Sequence, residues 1–94
     1  MPIRSFGDRA TAGLWHSGRS RAFPGSLHGI MLRKLALVDA ATDIRDLIVP
    51  PGNRLKKLEG KRSEDWSIRI NDQWRITFRW SNGQADAVMV EDYH

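Results

Sequence analysis

Trp66-Ser67-Ile68-Arg69-Ile70-Asn71-Asp72-Gln73-Trp74-Arg75-Ile76-Thr77-Phe78-Arg79-Trp80 decides the fold. Trp66, Ile68 and Ile70 alternate with Ser67, Arg69 and Asn71; Trp74, Ile76, Phe78 and Trp80 alternate with Arg75, Thr77 and Arg79. A strict period of two places every second side chain on one face of a sheet. The break at Asn71-Asp72 predicts a turn, and Ser81-Asn82-Gly83 predicts a tight hairpin, because Asn-Gly tolerates the positive φ such turns need. A last strand is expected from about Ala87 to Asp92, completing a three-stranded antiparallel meander. Its apolar face, Trp66 to Trp80, needs a partner layer. Its other face carries Arg69, Arg75, Thr77 and Arg79, with no acid alternating among them on those two strands.

Upstream the period changes to 3.6. Asp8 is placed to cap a helix running to about Ser17, with Gly18 as its stop. Residues 18–25 read as a loop. Leu27, Ile30, Met31, Leu35 and Val38 then share one face of a second helix, from Leu27 to about Ala40. Asp43 can cap one further turn, and Pro50-Pro51-Gly52-Asn53 breaks the chain. The expected architecture is α+β: two N-terminal helices on one face of a small antiparallel sheet, in a single domain over residues 1–94. Four Trp among 94 residues supply large apolar bodies to anchor so small a core.

Composition narrows the function. With no Cys, disulfides, thiolate metal sites and thiol catalysis are excluded. His16, His28 and His94 show no metal-ligand spacing, and no metal or cofactor is expected. The first residues carry charge and lack the apolar run of a signal peptide, and no stretch is long enough to span a bilayer; a cytoplasmic, membrane-free protein is expected. The net charge is +4, and residues 54–80 account for it, with eight basic against four acidic residues. Such a segment suits a polyanion, although a solvated face explains an excess of this size equally well.

The arginines favour a phosphate ligand, because the guanidinium fork grips phosphate oxygens in pairs. Metal-free RNA cleavage needs a base for the attacking 2′-OH, an acid for the leaving 5′ oxygen and cations for the phosphorane. Arg75 is the candidate cation. Asp92-Tyr93-His94, at the end of the last strand, offer a carboxylate, a hydroxyl and a group titrating near neutrality. If Val88 and Val90 face the core, Tyr93 shares the face of Arg75, and His94 reaches the same place only as a tail. A frayed polar terminus is the plainer reading of these three residues.

These residues together resemble the HigB (plasmid maintenance killer) family of the RelE/ParE toxin superfamily. The likeness covers nearly the whole chain. It rests on Ile3-Arg4-Ser5-Phe6, on Leu-Ala-Leu-Val-Asp-Ala-Ala from Leu35 to Ala41, and on Pro50-Pro51-Gly52-Asn53-Arg54-Leu55. The block from Trp66 to Ile76 and the closing Asp92-Tyr93-His94 complete it. The resemblance implies a RelE-like fold with an opening strand at 3–6, which periodicity does not support. It also implies a ribosome-dependent endoribonuclease that cuts translated mRNA, restrained by a HigA-like helix-turn-helix antitoxin through which DNA is met only indirectly. By the same resemblance Arg75 contacts phosphate and Asp92, Tyr93 and His94 form the active-site group. Arg54, Lys56, Lys57, Arg69 and Arg79 are the expected RNA contacts. One departure stands out: many such toxins read Leu-His-Pro-Leu-Lys-Gly where this chain reads Leu55-Lys56-Lys57-Leu58-Glu59-Gly60. Lysine holds phosphate, but serves as a general base only where burial lowers its pKa. The departure favours the alternative of a non-nucleolytic toxin like those of the ParE branch, or a regulatory binding module.

Overall fold

The computed structural model describes residues 2–93. Two helices, α1 (Arg9–Ser17) and α2 (His28–Ala40), precede an antiparallel sheet of β1 (Lys56–Lys57), β2 (Asp65–Arg69), β3 (Trp74–Ser81) and β4 (Gln84–Asp92), in spatial order β1-β2-β3-β4.

The ends of α1 follow the predicted chemistry. The Asp8 carboxylate accepts from the Thr11 N–H at 2.9 Å. Gly18, at φ 83°, turns left-handed and returns its N–H to Leu14 at 2.8 Å. Asp8→Ala removes the N-terminal bond and should cost about 1 kcal/mol in urea unfolding, with no change in the sheet. Helix α2 buries Met31, Leu35 and Val38, while Leu27 belongs to a short 3-10 turn just before it. Asp43 caps a 3-10 turn over Ile44–Ile48, with Asp46 answering in a capping box.

The core joins Leu14, Met31, Leu35 and Val38 to Ile68, Ile76, Phe78, Val88 and Val90. Phe78 is the large ring at its centre. The four Trp are only partly buried and pack around its margin, so they border the core rather than anchor it.

The expected antiparallel meander forms as β2-β3-β4, and the sheet departs from expectation in three details. The sheet has four strands, because the two residues of β1 pair with β2, Lys56 opposite Ser67 and Lys57 opposite Trp66. Two adjacent lysines show no alternation that could announce a strand. The opening segment is not a strand; it makes two isolated parallel bridges to β4, Ile3 with Ala85 and Phe6 with Val88. Ala87, at φ 52°, interrupts the ladder there, and its N–H is taken by the Ser5 hydroxyl at 2.9 Å. Finally, β4 begins at Gln84, directly after a turn in which Asn82 and Gly83 both have positive φ.

Ala87 also matters for function. The β3–β4 register shifts between Thr77, opposite Met89, and Arg79, opposite Asp86. The extra residue forms a bulge, which re-aims everything after it. Ala85 and Val88 are both buried although they are three apart, and Val90 follows them inward. Glu91 and Tyr93 therefore emerge on the face that carries Arg75. The Tyr93 N–H is tied to the Gln73 carbonyl at 2.7 Å, which carries the pairing past the end of the strand.

Candidate nucleic-acid interface

The site forms where the Pro51–Asn53 turn meets the polar face of the sheet. Asn53 is fully buried, and its amide donates to the carbonyls of Leu47 and Val49 at 3.1 and 3.4 Å. Its side-chain oxygen accepts from the Lys34 amine at 2.5 Å. The turn closes on Arg54, which is left-handed at φ 46°, ψ 54°. That conformation presents the Arg54 carbonyl to Arg75 Nη2 at 2.9 Å, while Arg75 Nε donates to the Ser67 hydroxyl at 2.9 Å. Two fixed acceptors thus aim the guanidinium, and among the described residues Nη1 is left for a ligand.

Around it lies a pocket of about 220 Å³ lined by Arg54, Lys56, Arg69, Asn71, Asp72, Arg75 and Tyr93. Four cations face one carboxylate, and that one, Asp72, is wholly exposed and paired with Arg69. Burial, with Arg69 and Arg54 nearby, pushes the Arg75 pKa down, and Tyr93 opposes this. Arg75 remains charged, and its like-charged neighbours make an anion welcome. Asn71 plays a supporting part, since its carboxamide oxygen accepts from the N–H groups of Gln73 and Trp74, each at 2.8 Å, and so shapes the β2–β3 turn.

The predicted site residues separate on this map. Arg54, Lys56, Arg69, Arg75 and Tyr93 converge. Lys57 does not: it is on the opposite face from Lys56, with its amine 5.5 Å from the Trp66 ring centroid. Arg79 is at the far end of β3, 3.6 Å from Glu64 and 3.8 Å from Asp65. Those two acids precede the alternating run, so the strand pattern alone did not reveal them. Asp92 lies outside the pocket wall and accepts from the Gln73 amide at 3.0 Å. His94 lies outside the described residues. Asn71 and Asp72, read only as a turn, belong to the wall, and nothing in their spacing distinguishes the two roles.

A roomier hollow of about 390 Å³ opens along the segment joining the two helices, lined by Arg19, Ser20, Arg21, Phe23, Gly25 and His28. There the His28 ring nitrogen lies 3.1 Å from the Phe23 carbonyl, and among the described residues no guanidinium of that wall is held by fixed acceptors as Arg75 is. The smaller basic pocket is the chemically organised one.

Among the described residues of this small α+β domain, that pocket gathers four cations around one aimed guanidinium. The chain belongs to the HigB-like toxin family, the RelE-like toxins of type II toxin-antitoxin systems, whose pattern it matches over residues 4–94. It is similar to Toxin HigB-1 of Vibrio cholerae, with 45% identity over 67 residues, covering 71% of this chain and 70% of the relative. It is also similar to Endoribonuclease HigB of Proteus vulgaris, 34% identical over 96 residues, covering 98% of this chain and 99% of the relative.

Proposed function

We propose that this toxin is an endoribonuclease that acts in the cytoplasm on mRNA held by the translating ribosome, using a RelE-like frame. One observation carries the reading: the Arg75 guanidinium, fixed by Ser67 and the Arg54 carbonyl, faces a pocket of further cations with Tyr93 beside it. The similarity to a relative named as an endoribonuclease supports it. Arg75 grips the scissile phosphate and stabilises charge on the phosphorane, while Arg54, Lys56 and Arg69 hold the flanking backbone. Tyr93 and the following His94 provide hydroxyl and imidazole for moving the 2′-OH and 5′-oxygen protons or for stacking a base, and Asp92 closes the strand that delivers them. Membership of a type II system implies an antitoxin, and the proposal makes it a HigA-like helix-turn-helix protein.

Mapping mRNA 5′ ends after brief induction tests this reading. New ends within translated codons are expected, and their disappearance when ribosomes are kept off the message. Exposed Lys56, in place of the histidine of many relatives, favours a second reading, a non-nucleolytic toxin; intact messages alongside damaged DNA would establish that one.

A further inference from the structure

The polar face sets an arginine and a glutamate side by side, then keeps them apart. Arg75 and Glu91 are register partners on β3 and β4. Cross-strand partners stand about 4.5–5.5 Å apart at Cβ, within easy reach of an ion pair. Yet Arg75 turns toward β2, to Ser67 and the Arg54 carbonyl. The Glu91 carboxylate accepts from Arg62 Nη1 at 3.2 Å and Nη2 at 2.7 Å, and from the Thr77 hydroxyl. Asp65 steadies Arg62 through Nε at 3.3 Å. Burial raises the Glu91 pKa, but the bonds from Arg62 and Thr77 outweigh it and hold the carboxyl below its ordinary value. An ionised carboxylate is therefore stationed beside the phosphate-gripping arginine without neutralising it.

We propose that Arg62 is a positioning residue for the RNA site: its two-pronged grip on Glu91 keeps that carboxylate off Arg75 and leaves the Arg75 charge to the RNA phosphate. The inference rests on the reading of Arg75 as the phosphate contact. The guanidinium fork suits the task because two parallel bonds fix the carboxylate plane, which a lysine ammonium cannot do. Without Arg62, Glu91 keeps only the Thr77 hydroxyl, and its cross-strand neighbour Arg75 becomes the cation next in line. A phosphate must then displace a carboxylate to bind.

The test compares wild type, Arg62→Ala, Arg62→Ala/Glu91→Gln and Arg75→Ala, each shown by thermal melting to be folded at the assay temperature. The probe is a labelled single-stranded oligoribonucleotide, 2′-O-methylated throughout so that binding is read apart from cutting. Arg62→Ala should bind about tenfold more weakly at pH 7.5, the scale of one charge-assisted contact. Its plot of log affinity against log salt should flatten by about 0.7, the share of one phosphate on a single strand. The double variant should return to within about twofold of wild type, since an amide cannot neutralise Arg75. A pH series separates positioning from mere support. In Arg62→Ala the released carboxyl takes up its proton as the solution is acidified and then lets go of Arg75, so the gap from wild type should close toward acid pH, where loss of fold alone would widen it. Wild-type affinity in Arg62→Ala, or failure of Glu91→Gln to restore it, overturns the proposal while a defective Arg75→Ala leaves the functional reading standing. Full binding of the probe by Arg75→Ala overturns both.

Discussion

Arg75→Ala should lower mRNA cleavage by about 10²–10³-fold, the usual effect of removing one group that stabilises transition-state charge. The variant should still fold. Arg75 is half-buried, on the polar face, and contributes nothing to the packed layer beneath Ile76 and Phe78. The change leaves the buried Ser67 hydroxyl without the Nε donor it receives at 2.9 Å, a loss of about 1–2 kcal/mol. It also removes the bond from Nη2 to the Arg54 carbonyl, a group close enough to solvent to find water instead. Arg75→Lys should fall between the two: the charge remains, but one ammonium cannot satisfy Ser67, Arg54 and a phosphate in the geometry of the fork. Primer extension on translated mRNA reads the cleavage, and a thermal melt separates a lost site from a lost fold. Cleavage at the wild-type rate by folded Arg75→Ala would sink the assigned site.

Arg75 was legible in the sequence because its placement depends only on alternation. Once Trp74, Ile76 and Phe78 face the core, Arg75 has to face away. Tyr93 depended on more. Counting by twos places it with Ala87, Met89 and Glu91, and that register holds only after the bulge; upstream of it Ala85 is core and Ala87 is exposed. Nothing about an alanine announces a φ of 52°, so the bulge is a tertiary event, fixed by Ser5 and by the facing register of β3. Charge was the weakest guide. Lys57, Arg62 and Arg79 contribute to the same basic segment as Lys56 and Arg75, yet one faces the other side of the sheet and two are engaged by acids. A count of charges sees neither strand face nor partner. Glu91 shows the limit most clearly, since its effect on Arg75 is set by Arg62, 29 positions away in the chain.

Asn53 has an importance that its setting in a Pro-Pro-Gly-Asn break does not suggest. Asn53→Ala should cost about 2–4 kcal/mol of stability and, in the fraction that stays folded, reduce cleavage by about tenfold. The side chain is wholly buried and uses both ends: its amide holds the Leu47 and Val49 carbonyls, and its oxygen holds the Lys34 amine. Alanine leaves those carbonyls and a half-buried cation with fewer partners, and burial beside Arg33 and Arg69 already lowers the Lys34 pKa. The effect then passes to the site along the backbone. Arg54 follows directly in a left-handed conformation, unfavourable for a residue with a Cβ, which the turn bonds of Asn53 and Arg54 back to Pro50 and Pro51 hold in place. If that turn relaxes, the Arg54 carbonyl moves, and Arg75 loses one of the two acceptors that aim it. Lys34→Met is the control: it removes one bond and a poorly placed cation but leaves the Asn53 amide on Leu47 and Val49, so stability and cleavage should fall less than in Asn53→Ala. Urea unfolding and single-turnover cleavage of a ribosome-bound message measure the two effects. Equal cleavage losses in both variants would mean that Lys34, rather than the turn, supports Arg75.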